Sequence, residues 1–334
     1  MRATYFRHLL EFKRPGGTSR GVLHEKETFI LELDDSGKKG IGECAVFRGL
    51  SHDDRPDYER KLQWLCDHIH LDPDVVKQEL TEFPSLWFGY EQAVLNLKYG
   101  GNLYFPSAFT EGKESITING LIWMGDIAFM EEQIREKLDT GFHCIKLKIG
   151  VNWESEYEIL KKLRQKFSVD RLELRVDANG GFTAGEAKTV LQQLADLQIH
   201  SIEQPVKAGN PEVMADLCAD TPTPVALDEE LIGVTGYDDK KRLLETVRPQ
   251  FIILKPALAG GFAGCDEWIA LAEQLGTGWW ITSALESNIG LNAIAQYTFT
   301  KKNPMPQGLG TGSLFTNNFA SALDLKGELL YFKS

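Results

Sequence analysis

Cys144-Ile145-Lys146-Leu147-Lys148, Leu174-Arg175-Val176-Asp177, Ser201-Ile202-Glu203, Val225-Ala226-Leu227-Asp228 and Ile252-Ile253-Leu254-Lys255 are five short apolar runs that each end in a charge. The terminal charges follow one another at spacings of 29, 26, 25 and 27 residues. A strand with its returning helix occupies roughly 30 residues, so each step is one β/α unit. Apolar runs of strand length recur on both sides of this block, and strands are expected at 115–122, 144–149, 172–177, 201–204, 224–228, 251–255, 279–284 and 307–310. Eight such strands, with helix-length segments between them, predict an α/β fold in which a parallel sheet closes into a barrel.

The first 113 residues are patterned differently. β-rich runs at 27–33 and 40–45 flank Asp34-Asp35-Ser36-Gly37, a hairpin signal. Helical periodicity follows at 58–69 and 88–98. A small α+β domain over 1–113 is expected, with Arg14-Pro15-Gly16-Gly17-Thr18-Ser19-Arg20 as a flexible loop in its first strands. The barrel should span 114–317, and the last segment, about 318–334, should return to the small domain.

Composition narrows the function classes. The 334 residues carry 36 lysines and arginines against 48 acids, a net charge of −12. An acidic surface disfavours nucleic acid and anionic membranes as partners, yet allows a small anionic substrate where positive charge gathers locally. No apolar run approaches the length of a membrane span. The N-terminus has neither the apolar core nor the cleavage site of a secretory signal. Five scattered cysteines without a CxxC spacing suggest reduced, buried thiols in a cytoplasmic protein. Oligomeric state is not legible at this level.

The ladder reads lysine, acid, acid, acid, lysine at equivalent heights on adjacent strands, at the mouth where barrel enzymes place their chemistry. Asp177, Glu203 and Asp228 would repel one another there unless a cation joined them. Oxygen-only donors favour Mg²⁺ over zinc, with Mn²⁺ also compatible. Lys148 and Lys255 then flank the metal from opposite sides. A carboxylate substrate on the metal would place its α-carbon between the two amines. Lys148 is the candidate base for the α-proton. Lys146, two residues away on the same strand face, is either a second ammonium tuning that base or one half of an internal ion pair. Asn179 reads as a loop residue; His143 and His200 precede their strands and read as structural.

The set Lys146-Leu147-Lys148, Asp177, Glu203, Asp228 and Lys255 resembles the enolase superfamily, in its muconate-lactonizing-enzyme-like branch. The resemblance implies a (β/α)7β-type modified TIM barrel with an N-terminal α+β capping domain, to which Gly40-Ile41-Gly42-Glu43-Cys44-Ala45 and Gly49-Leu50-Ser51 are similar. Within the branch, Thr282-Ser283-Ala284-Leu285-Glu286-Ser287-Asn288-Ile289-Gly290-Leu291 resembles a segment of o-succinylbenzoate synthases. Gly310 stands where those enzymes often carry an aspartate. That likeness implies a lyase of menaquinone biosynthesis acting by syn dehydration, with Lys148 as base and Lys255 as electrostatic partner. Arg20, Ser283, Ser287 and Gly310 are its candidate substrate contacts. The same lysines would also serve an N-acylamino acid racemase or a dipeptide epimerase, although the Asp-x-Asp motif by which the epimerases bind an ammonium group is missing after the eighth strand. A Schiff-base aldolase using Lys255 is a more distant alternative, as is a catalytically silent barrel.

Overall fold

The computed structural model describes residues 1–18 and 21–333. The chain opens with an antiparallel sheet of β1 (Arg2–Thr18), β2 (Gly21–Asp35) and β3 (Lys38–Cys44). The β2–β3 hairpin turns where expected. Ser36 and Gly37 both take positive φ, and the Gly37 N–H donates to Asp34 Oδ1 at 3.0 Å, the conformation that matches the twist of paired strands. The 14–18 stretch is not a loop. After an irregularity between Glu11 and Gly16, Gly16, Gly17 and Thr18 pair with Leu23, Val22 and Gly21. Pro15, which has no N–H to offer a ladder, falls inside that irregularity. Arg20 lies outside the described residues.

Helices α1 (Tyr58–Asp67), α2 (Pro73–Glu79) and α3 (Pro84–Tyr99) follow. Phe29, Leu31 and Leu33 of β2 pack with Leu62 and Leu65 of α1 and with Leu86, Tyr90 and Ala93 of α3. Close contact between α3 and β3 depends on glycine: a Cβ on Gly42 would lie 2.0 Å from the Gly89 carbonyl. The alternate residues of β2 and β3, among them Lys26, Thr28 and Glu43, turn to the opposite face. The short α2 had no periodicity long enough to reveal it; Pro73 starts it, and the Asp72 side chain caps it.

After the short β4 (Ile116–Thr117), the barrel begins with β5 (Gly120–Ile122), α4 (Ile127–Asp139), β6 (Cys144–Lys148) and α5 (Trp153–Lys166). It continues through β7 (Glu173–Asp177), α6 (Ala184–Asp196), β8 (Ser201–Glu203), α7 (Pro211–Ala219), β9 (Val225–Leu227) and α8 (Tyr237–Val247). It ends with β10 (Phe251–Leu254), α9 (Gly261–Leu275), β11 (Gly278–Ile281) and α10 (Asn288–Thr300). Strands β5 to β11 form one parallel sheet in chain order. The eighth strand is reduced to two residues. Gln307 bridges Ile118 and Gly308 bridges Thr282, both in parallel, which joins the two edges of the sheet.

The expected strand at 115–122 is split, because β4 belongs to a separate sheet with β12 (Leu323–Lys326) and β13 (Leu329–Phe332). The end of the chain therefore does two things. Thr316 N–H donates to Glu11 O at 2.8 Å, and Asn317 donates to Leu9 O at 2.7 Å, so this stretch runs along β1. The terminal hairpin then pairs with β4 and not with β1–β3.

Alternation along the barrel strands explains the ladder. Ile145, Leu147, Leu174, Val176, Ile202, Val225, Leu227, Ile252 and Leu254 belong to the main core between strands and helices. Their neighbours point inward. Low in the barrel, Ala226, Ile253 and Trp280 pack together, and the Arg175 guanidinium lies 4.4 Å from the Trp280 ring centre. Above them, the same inward positions are the charged residues.

Candidate active site

Lys148, Asp177 and Glu203 are direct register partners across β6, β7 and β8. The side chains pair one to one. Lys146 Nζ lies 2.9 Å from Glu203 and 3.9 Å from Asp177; Lys148 Nζ lies 2.9 Å from Asp177; Lys255 bonds Asp228. All three acids are at most 2% exposed. Lys146, Lys148, Asp177 and Lys255 line one cavity at the barrel mouth, roofed by Leu23, Phe47 and Leu50 from the N-terminal unit.

The electrostatics are uneven. Burial raises the pKa of Asp177, but Lys148, Lys146 and Lys255 outweigh it and hold this carboxyl well below the usual range. Glu203 is pushed up to about 7 by burial, which Lys146 offsets only in part and the charges of Asp177 and Asp228 reinforce. Burial likewise takes Asp228 up to about 6, with Lys255 opposing and Glu229 and Asp177 adding to it. Burial works against the charge on Lys146, yet Glu203 and Asp177 keep its pKa above the ordinary lysine value.

Those shifts describe an uneven triad: Asp177 is well supplied with positive charge, whereas Glu203 and Asp228 lack enough of it. Oxygen-only donors on adjacent strands suit a hard divalent cation. Among the described residues no three acidic, histidine or cysteine side chains stand together as a ready ligand set, because each carboxylate is turned to its lysine. A cation and the lysines thus compete for the same oxygens. Lys146→Met leaves Glu203 buried without its partner, and the loss of one half of such a pair costs about 3–5 kcal/mol. Urea unfolding of the metal-free protein should show that loss, and added divalent cation should recover part of it.

Asn179 is a site residue that its place in the sequence does not mark. It is 9% exposed, adopts φ +43°, accepts from Lys148 Nζ at 2.7 Å and donates to Glu229 at 3.0 Å. A left-handed backbone at a non-glycine residue is a mark of functional loops. The spacing Asp-x-Asn at a strand end was the available signal. Gln204 is a second such residue: it accepts from the backbone N–H groups of Asp228 and Glu230, both at 3.2 Å, and so fixes the loop that carries Asp228.

The four candidate substrate contacts fare differently. Gly310 and Ser283 line the cavity, but the Ser283 hydroxyl donates to Glu286 at 2.5 Å and accepts from Thr311 and from the Leu285 N–H. Ser287 donates to Glu43 at 2.5 Å and caps α10. Both hydroxyl protons are committed to buried glutamates, so neither serine is a free donor to a ligand. Arg20 is outside the described residues. His143 faces Glu328 at 3.1 Å, and His200 meets Ser201 and Phe251, both away from the cavity. The five cysteines are free and buried. Among the described residues no helix is long and apolar enough to cross a membrane.

Comparison with known proteins agrees with this geometry. Residues 129–324 match the family model described as enolase C-terminal domain-like. The chain is 44% identical to the o-succinylbenzoate synthase of Desulfotalea psychrophila, over 99% of this chain and 98% of that one. The crystal structure of MenC from the same organism superposes with a TM-score of 0.88 at 41% identity, covering 99% of both chains. A dipeptide epimerase from Enterococcus faecalis, solved with Mg and a dipeptide, shares the fold with a TM-score of 0.84 at 19% identity, covering 99% of this chain and 96% of that one. With its barrel, its lysine-paired acids and these relatives, the chain belongs to the enolase C-terminal domain-like family of the enolase superfamily.

Proposed function

We propose that this protein is an o-succinylbenzoate synthase, a hydro-lyase of menaquinone biosynthesis. It converts 2-succinyl-6-hydroxy-2,4-cyclohexadiene-1-carboxylate to o-succinylbenzoate. The observation that carries the proposal is 44% identity along 99% of the chain to an enzyme of that activity, against 28% for an L-Ala-D/L-Glu epimerase of Bacillus subtilis.

In this mechanism the substrate carboxylate enters the cavity with its α-carbon between Lys148 and Lys255. The Lys148 amine takes the α-proton. The electron pair of the broken C–H bond forms the new ring double bond, and the neighbouring C–OH bond breaks. Lys148 returns the proton to the departing hydroxyl on the same face, and water leaves. Aromatisation makes the step downhill with no oxidant. Lys255, opposite, stabilises the negative charge that develops, in a mouth shielded from water where such charges act strongly. Asn179 holds Lys148 in place through its carbonyl oxygen. Asp177, Glu203 and Asp228 would hold a divalent cation, Mg²⁺ by donor type and by the Mg in the related epimerase structure. When bound, that ion supplies Lewis-acid stabilisation of the substrate carboxylate. Asp177 would then serve both as a ligand to the ion and as the neighbour of the Lys148 amine, 2.9 Å away.

Residues 1–113 serve as the cap, with Leu23, Phe47 and Leu50 excluding water above the lysines, and 114–317 serve as the catalytic barrel. Incubation of the purified protein with the cyclohexadiene carboxylate and Mg²⁺ should yield o-succinylbenzoate, seen by its aromatic absorbance, and EDTA should stop the reaction. Turnover that survives EDTA, or no turnover with Mg²⁺ present, would overturn the proposal.

A further inference from the structure

Outside the ladder, the most heavily committed polar cluster lies where the cap sheet meets the turn after β11. From β3, Glu43 accepts from Ser287 N–H and Gly290 N–H, both at 2.9 Å, from Ser287 Oγ at 2.5 Å and from Thr28 Oγ1 at 2.9 Å. Within the turn, Glu286 accepts from Ser283 Oγ at 2.5 Å and Ala284 N–H at 2.7 Å. Both glutamates are 0% exposed. The turn they hold is strained, since Leu285 adopts φ +64°, and Ser283, Ala284 and Leu285 wall the active-site cavity.

Two buried carboxylates at one seam need a positive charge nearby. Lys26 of β2 is placed to supply it. Only 5% exposed, it stands on the same face of β2 as Thr28, whose hydroxyl donates to Glu43, and its Nζ lies 6.0 Å from the ring centre of Phe47, another wall of the cavity; burial lowers its pKa, and Glu43 and Glu286 oppose that shift. The adjacent Glu27 is already bonded to Arg7 and Arg48. Among the described residues Lys26 Nζ has no hydrogen-bond partner. It therefore acts on the glutamates through its field and not through a directed bond, so its charge should matter more than its shape.

We propose that Lys26 is a positioning residue. Reaching down from the cap on the sheet face that carries Thr28 and Glu43, its side chain sets the charge of the seam at which Glu43 and Glu286 hold the strained 283–287 wall against which the substrate binds. Cap and barrel are thereby coupled by one charge. The proposal relies on the dehydratase assignment only for its kinetic readout, because amide hydrogen exchange reports the turn directly.

Lys26→Met, Lys26→Met/Glu286→Gln and the wild type should be compared in the presence of Mg²⁺. Lys26→Met is expected to raise KM roughly tenfold, with a smaller change in kcat, a ratio within the usual range of coupling between sites. It should also speed exchange of the amides at 284–290. The double variant, with the charge balance restored, should return both readouts most of the way to wild type. A Lys26→Met protein with unchanged KM and amide protection overturns the proposal, as does a double variant no better than the single one. Should Lys26→Met not fold, the double variant still decides, because the proposal requires it to be folded with near wild-type KM. A wild type inactive on the cyclohexadiene would count against the substrate assignment alone and leave the exchange comparison intact.

Discussion

Lys148→Ala is expected to lower kcat for dehydration by about 10³–10⁴-fold, the upper range for loss of a positioned acid–base group, with the barrel intact. No neighbouring amine can replace it. Lys146 sits one inward position lower and is bound to Glu203; Lys255 belongs to the far side and is bound to Asp228. In the proposed mechanism the same group both takes and returns the proton, so two bond-breaking steps would lose their partner at once. Asp177 keeps Lys146 within 3.9 Å, which limits the damage to folding. Steady-state kinetics beside circular dichroism would check this. A loss below tenfold in a folded variant would move the base elsewhere.

Glu203→Gln is expected to abolish cation-dependent activity, with a loss of about 10³-fold or more, since an ion that stabilises transition-state charge contributes several kcal/mol. Wild-type protein should also gain thermal stability from Mg²⁺, by about 2.7 kcal/mol at one hundred times Kd, whereas the variant should gain almost nothing. The pH dependence has a defined sign. Glu203 and Asp228 have folded-state pKa values raised to about 7 and about 6, above those of an unfolded chain. Between the unfolded and folded values the native protein holds more protons than the unfolded one, so the metal-free protein loses stability from these groups as pH rises from about 4 to 7. A cation must displace those protons. The Mg²⁺-induced rise in melting temperature should therefore grow from pH 5 to pH 8, with proton release on binding below pH 7. A pH-independent rise would contradict the assignment of these carboxylates as ligands.

The barrel and its ladder were legible because they are periodic. Strands near 144, 173, 201, 225 and 251 recur with β/α spacing, and alternation within each strand separates Ile145 and Leu147 from Lys146 and Lys148. What escaped was aperiodic. The eighth strand is two residues held by bridges from both sides, too short to carry a pattern. The 14–18 stretch looks like a loop by composition, since glycine and proline mark turns, but the pairing of 16–18 with 21–23 prevails. Asn179 and Gln204 act from loops with positive φ, a property that residue type only hints at. Ser283 and Ser287 illustrate a different limit. Their positions beside the mouth were readable, but where their protons go depends on Glu286, three residues along, and on Glu43, more than two hundred residues away. The one-to-one lysine pairing is likewise three-dimensional; sequence alone left Lys146 open between a tuning charge and an ion pair.

The lysine pair flanking an acidic triad suits two outcomes, loss of water from a cyclohexadiene and reprotonation of an amino acid α-carbon. Their relative rates decide what the cavity is shaped for. With purified protein and saturating Mg²⁺, kcat/KM for dehydration of 2-succinyl-6-hydroxy-2,4-cyclohexadiene-1-carboxylate should exceed kcat/KM for racemisation of N-succinylamino acids by at least about 10², a margin of roughly 2.7 kcal/mol in transition-state binding. Racemisation equal to or faster than dehydration would contradict the assignment and place the protein with the racemases.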